Sequence, residues 1–120
     1  MISMDRKKEL KLQYRQMKPE MGIFIIRLHS GNKCYLEATP NLWGTLNSTK
    51  FKLRAGLHPN RELQKEWREY GEASFTFEIP EKLEYDKDDE AKTDYTEELT
   101  LLQMMWEEKL AKEDMELYKK

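Results

Sequence analysis

The alternation of apolar and polar positions divides the chain into seven elements. Leu10, Tyr14 and Met17 recur at spacings of four and three, which predicts a helix over 4–18. Pro19 ends it, because the residue before a proline is pushed out of helical dihedrals. MGIFIIRL at 21–28 is β-branched and aromatic and reads as a strand. HSGN at 29–32 supplies a turn, and KCYLEA at 33–38 alternates as the partner strand of a hairpin.

Pro40 and Asn41 open the next element. Leu42, Leu46, Thr49 and Leu53 share a helical face, which Gly44 and Asn47 weaken and Gly56 ends. After His58 and Pro59, Asn60 is placed to cap a helix over 61–70, with Leu63, Trp67 and Tyr70 on one stripe and Gly71 at its C-terminus. SFTFEI at 74–79 alternates as a third strand, and the charged run at 84–92 reads as a solvated loop. Thr93 and Asp94 start a last helix striped by Tyr95, Leu99, Leu102 and Trp106. Beyond Trp106 the apolar positions thin to Leu110, Met115 and Leu117 among charges, so the tail is expected to be loose or to await a partner. The order α-β-β-α-α-β-α predicts an α+β domain, a small three-stranded, mainly antiparallel sheet flanked by helices.

Length and composition agree with a single domain over 1–120, its core at about 20–106 and helical extensions at both ends. The 120 residues suffice for one small core, and three Trp, six Tyr and four Phe set the chain apart from disordered sequences despite 37% charged residues. No run approaches the roughly 20 apolar residues of a membrane span, and MISMDRKKEL lacks the apolar stretch of a signal peptide. One cysteine, Cys34, fits a reducing cytoplasm. The net charge is -2, but it is uneven. Residues 81–98 hold nine acids against three lysines, whereas 21–80 hold eight basic residues against six acidic ones. The body is thus mildly basic.

The two hairpin strands carry the tripeptides Gly22-Ile23-Phe24 and Tyr35-Leu36-Glu37. Downstream come Leu53, Gly56, His58, Asn60, Leu63, Trp67, Tyr70-Gly71 and the Phe75–Leu83 region. In these residues and their order the chain resembles the catalytic domain of the GIY-YIG nucleases. The resemblance covers roughly residues 20–83, is nearest to intron-encoded homing endonucleases, and returns at Glu98. It implies a nuclease-like α+β fold, a DNA partner contacted through phosphates, and Mg2+ or Mn2+ as cofactor. A phosphodiester is negative and resists attack, so such an enzyme needs a divalent cation, a positive group at the developing charge and a group that places water. The resemblance assigns the remnant catalytic positions to Tyr35, His58 and Glu98, with Glu98 as the metal ligand. It also sets Phe24, Glu37, Thr45 and Thr49 where the family has tyrosine, glycine, arginine and histidine. Losing one transition-state donor costs roughly 100- to 1000-fold in rate. The resemblance therefore implies weak or no endonuclease activity, unless Arg27 or Arg54 substitutes from a neighbouring element.

Each candidate also has a plainer reading. Tyr35 is a water-orienting hydroxyl or a half-buried strand aromatic. His58 touches phosphate, or packs and caps a loop. Glu98 binds metal, or is one more exposed acid beside Glu97. Lys50, Lys52 and Arg54, with Arg27, form a phosphate-contacting patch or a solvated helix face. His29, Cys34 and His58 fall short of a zinc pattern in number and spacing. Three functions stay open: a weakly active nuclease, a non-catalytic nucleic-acid-binding or regulatory module, and a protein-interaction domain that self-associates or finds a partner through its C-terminal helix.

Overall fold

The computed structural model describes residues 18–89 and 91–118. All but the last residue of the helix expected over 4–18 lies outside them. The described elements are β1 (Met21–Leu28), β2 (Lys33–Thr39), α1 (Leu42–Ala55), α2 (Arg61–Tyr70), a short 3-10 turn (Glu72–Ser74), β3 (Phe75–Leu83), α3 (Thr96–Lys112) and β4 (Glu116–Leu117). The α+β class stands, but among the described residues the sheet has four strands in the order β3-β1-β2-β4 rather than three.

β1 is the spine of the sheet. It pairs antiparallel with β2, Ile25 opposite Leu36, and antiparallel with β3, Ile26 opposite Phe77. Its unbroken apolar run reflects cover on both faces. Phe24, Ile26 and Leu28 join Leu42, Leu46 and Leu53 of α1 and Leu63 and Trp67 of α2 in one core. Ile23 and Ile25 face the other way, into a second core with Leu36, Leu102 and Leu110. Gly22 stands at φ 154, and a Cβ there would sit 2.7 Å from the Lys82 Cα and against the Glu81 carbonyl oxygen. A glycine is what lets β3 approach β1 so closely at that end.

The helices start and stop as their sequences direct. The Asn41 side chain accepts from the Gly44 amide at 3.1 Å, and the Asn60 side chain accepts from the Leu63 amide at 3.0 Å. Gly44, which by propensity weakens α1, leaves room for that cap: a Cβ there would meet the side-chain Nδ2 of Asn41 at 2.5 Å. The buried face of α1 is the expected Leu42, Leu46, Thr49 and Leu53. On α2 the stripe is Leu63, Gln64 and Trp67, while Tyr70 is exposed.

Two boundaries differ from expectation. β3 runs on past Ile79 to Leu83 because it is an edge strand. A register shift between Ile23 and Ile25 accommodates Pro80, whose missing amide would break an interior strand. The C-terminal segment is docked rather than loose beyond Trp106. α3 continues to Lys112, Leu110 is fully buried, and after Asp114 at φ 60 the chain pairs parallel with β2, Lys33 opposite Glu116. The Tyr118 amide donates to the Cys34 carbonyl at 3.0 Å, and its ring is buried in the first core. Among the described residues no helix is long and apolar enough to cross a membrane.

Candidate active-site cleft

Alternation along β2 puts Tyr35 and Glu37 on one face, and helical spacing along α1 puts Thr45, Thr49 and Lys52 opposite them. The loop between α1 and α2 closes the third side with His58 and Pro59. Together these residues line a cleft of about 410 Å³. Five positions singled out by the resemblance, Tyr35, Glu37, Thr45, Thr49 and His58, thus converge with Lys52. Phe24 lies beneath, fully buried, its ring 6.3 Å from that of Tyr35.

Two of the polar groups in the cleft, Tyr35 and Thr45, already have partners. The Tyr35 hydroxyl donates to Glu37 Oε1 at 2.6 Å, and the Thr39 and Thr45 hydroxyls pair at 2.6 Å. Burial, then the Glu37 carboxylate, pushes the Tyr35 phenol well above its ordinary pKa, so it keeps its proton. His58 meets Tyr35 edge-on, ring centroids 5.2 Å apart, and its Nδ1 accepts the Asn60 amide at 3.0 Å. A neutral His58 therefore carries its proton on Nε2. Its backbone amide donates to Gln64 Oε1 at 2.9 Å, and the Gln64 side chain donates to the Leu53 carbonyl, which ties the loop to both helices.

Burial lowers the His58 pKa, against the Asn60 contact and Glu37, with Lys52 adding to the lowering. Below about pH 6.5 the unfolded chain then holds a proton that the folded protein resists. The contribution of His58 to stability is therefore present above that value and is lost as pH falls below it through the lower pKa of the folded state. His58→Asn keeps an acceptor for the Asn60 amide without the titration. Between about pH 7.5 and pH 5 the wild type should lose more melting temperature than this variant; parallel losses would show that His58 titrates as it does in water.

The other predicted site residues are engaged elsewhere. Glu98 does not line the cleft; it pairs with Lys92 at 2.7 Å, which holds its carboxyl below the usual range. Arg27 Nε donates to Glu78 at 2.8 Å on the β3 side of the sheet. Arg54 makes two hydrogen bonds to Glu72, at 2.6 and 3.0 Å. Lys50 lies 4.7 Å from the centre of the Phe77 ring. Of the four proposed phosphate contacts, only Lys52 faces the cleft.

The donor set fits a divalent cation poorly. Among the described residues no three His, Cys, Asp or Glu side chains are grouped as a metal site. Among those residues Glu37 is the one carboxylate lining the cleft, and one of its oxygens is taken by Tyr35. Hard cations want several oxygen ligands.

No protein-family model matches the chain, and no curated protein does. Solved structures do. The catalytic domain of the homing endonuclease I-TevI aligns with 83% of this chain and 99% of its own length, at TM-score 0.63 and 21% identity. A single-substitution variant of the catalytic domain of the intron endonuclease I-TevI aligns with 83% of this chain and 92% of its own, at TM-score 0.58 and 22% identity. Hairpin, flanking helices and cleft together give this chain a GIY-YIG-nuclease-like fold.

Proposed function

We propose that the protein is a nucleic-acid-binding or regulatory module built on a nuclease-like fold, with weak or no phosphodiester cleavage of its own. The charge balance of the cleft carries this reading. Among the described residues Lys52 is its only lysine or arginine, and Glu37 faces it. At an effective dielectric of about 20, a phosphate some 4 Å from Glu37 would be repelled by roughly 4 kcal/mol. Lys52 offsets a term of that size and leaves nothing over for the charge that develops during cleavage. The Tyr35 hydroxyl, the one the resemblance casts as placing water, is already paired with Glu37, and Thr45 is paired with Thr39. The mildly basic body, in contrast, suits sequence-independent contact with a phosphate backbone.

A plasmid-nicking assay with Mg2+ and Mn2+, run beside a salt titration of duplex binding, tests both halves. Binding that weakens with salt, with no nicking above a mock preparation, is the expected pair. Metal-dependent nicking that persists through purification and disappears in Glu37→Ala or Glu98→Ala would establish an active enzyme.

A further inference from the structure

The exposed side of α2 is shaped differently from the cleft. A groove of about 720 Å³ runs along it, lined among others by Leu57, His58, Arg61, Lys65, Arg68 and Glu69. Arg61, Lys65 and Arg68 follow the i, i+4, i+7 spacing of one helical face, and all three are exposed. The acids of α2 are mostly turned away: Glu62 and Glu66 both bind Lys33 of β2, at 2.8 and 3.2 Å. Among the described residues Glu69 is the one acid in the groove. Among the described residues no ion pair engages Arg61, Lys65 or Arg68. The Arg68 guanidinium lies over Gly56, in space that a Cβ at that position would take. His58 is a wall common to this groove and to the cleft.

We infer that this stripe is the surface on which duplex DNA docks, its phosphate backbone following Arg61, Lys65 and Arg68 towards His58 and Lys52. The inference rests on the nucleic-acid-binding reading above and gives it a location away from Lys50 and Arg54. The dimensions match. Seven residues of helix rise about 10 Å, and the long side chains of Arg61, Lys65 and Arg68 extend that span. Three cations can thus reach about three successive phosphates of one strand. Two of the three are arginines, whose planar forks suit phosphate oxygens. Leu57, also exposed in the groove, offers an apolar contact beside them.

The test is a titration of a fluorescein-labelled duplex against the full chain, for wild type, Arg61→Gln/Lys65→Gln/Arg68→Gln, and the control Lys50→Gln/Arg54→Gln. Circular dichroism melts check that each variant is folded; three exposed positions should leave the fold intact, and Arg68→Lys provides a milder change at the same site. The stripe variant should lose more than ten-fold in affinity near 0.1 M salt, and its log–log salt slope should be shallower by about 2.7, some 0.9 for each phosphate released. The control should stay within two- to three-fold of wild type. Wild-type binding with an unaltered stripe variant would overturn the location and leave the nucleic-acid reading standing. Failure of the wild type to bind any duplex would overturn both. Equal affinity for poly-glutamate, lost in the same variant, would assign the stripe to an acidic protein and overturn the inference.

Discussion

Trp67→Ala should lower the melting temperature by about 12 °C or more and leave the protein close to unfolding at physiological temperature. Trp67 is buried beneath α2, its ring centroid 5.1 Å from Phe75 and 6.0 Å from Phe77. Its truncation removes the largest side chain of the core between the sheet and α1–α2. Truncating a buried aromatic costs roughly 3–5 kcal/mol, against a total stability of about 5–15 kcal/mol for a domain of this kind. Each kcal/mol moves the midpoint of a domain this small by about 4 °C or more. Trp43 supplies the contrast: half exposed and hydrogen-bonded to Glu20, it should yield to alanine at well under half that cost. Melts followed by far-UV circular dichroism, which does not depend on the indole removed, measure both. A Trp67 variant that melts with the wild type would put its ring at the surface.

Tyr118→Ala should cost a comparable amount, roughly 3 kcal/mol, although the residue lies in a segment that looks expendable by composition. The ring is buried among the residues of the first core, and Lys33 Nζ sits 5.8 Å from its centre. Burial, then the neighbouring Glu66 carboxylate, keeps its phenol protonated. The backbone beside it is tied down by the Glu116 amide to the Asn32 carbonyl at 2.7 Å and by the Asn32 side chain to the Asp114 carbonyl at 3.0 Å. Native-state hydrogen exchange should therefore find the Glu116 and Tyr118 amides protected to about the level of α3. Fast exchange of both amides, together with an unchanged melting temperature in the alanine variant, would detach β4 from the sheet.

That segment also marks where sequence reading stops. The hairpin, α1, α2 and the start of α3 were legible because each announces itself locally, by alternation, by helical spacing, or by Asn41, Asn60 and Gly56 at the ends. β4 is two residues long, and no periodicity can be read from two residues. What fixes it is a pairing with Lys33 and Cys34 far back in the chain, together with Leu110 and Tyr118, which fall into separate cores. The extension of β3 through Pro80 was hidden for a related reason: whether a proline is tolerated depends on whether the strand lies at an edge, which is a property of the sheet.

The cleft was legible in part. Tyr35, Glu37, Thr45, Thr49 and His58 could be nominated by resemblance and are gathered in one place. Their hydrogen bonds could not be foreseen, since the Tyr35–Glu37 pair depends on rotamers and the Thr39–Thr45 pair joins two elements. The basic residues went the other way. Lys50, Lys52 and Arg54 look like a patch because they are close in sequence, yet Glu72 and Phe77 draw two of them to other neighbours. Arg61, Lys65 and Arg68 share a helical spacing that was there to be read, but which of α2's charges were already paired depended on where Lys33 would lie.

The bulged edge at β3 has a consequence for the protein at high concentration. An exposed strand edge is a template on which another chain can add a strand, and long flat edges seed aggregates. Among the described residues β3 is such an edge, and it is a poor template. Pro80 presents no amide, the register shift kinks the run beside it, and Glu78, Glu81 and Lys82 place charge along it. A second molecule attempting to extend the sheet there would lose hydrogen bonds at the kink and would have to desolvate those charges. Pro80→Val would straighten the chemistry of that edge, and its cost would be felt first as turbidity in concentrated or warmed samples, before any change in the fold of the single molecule.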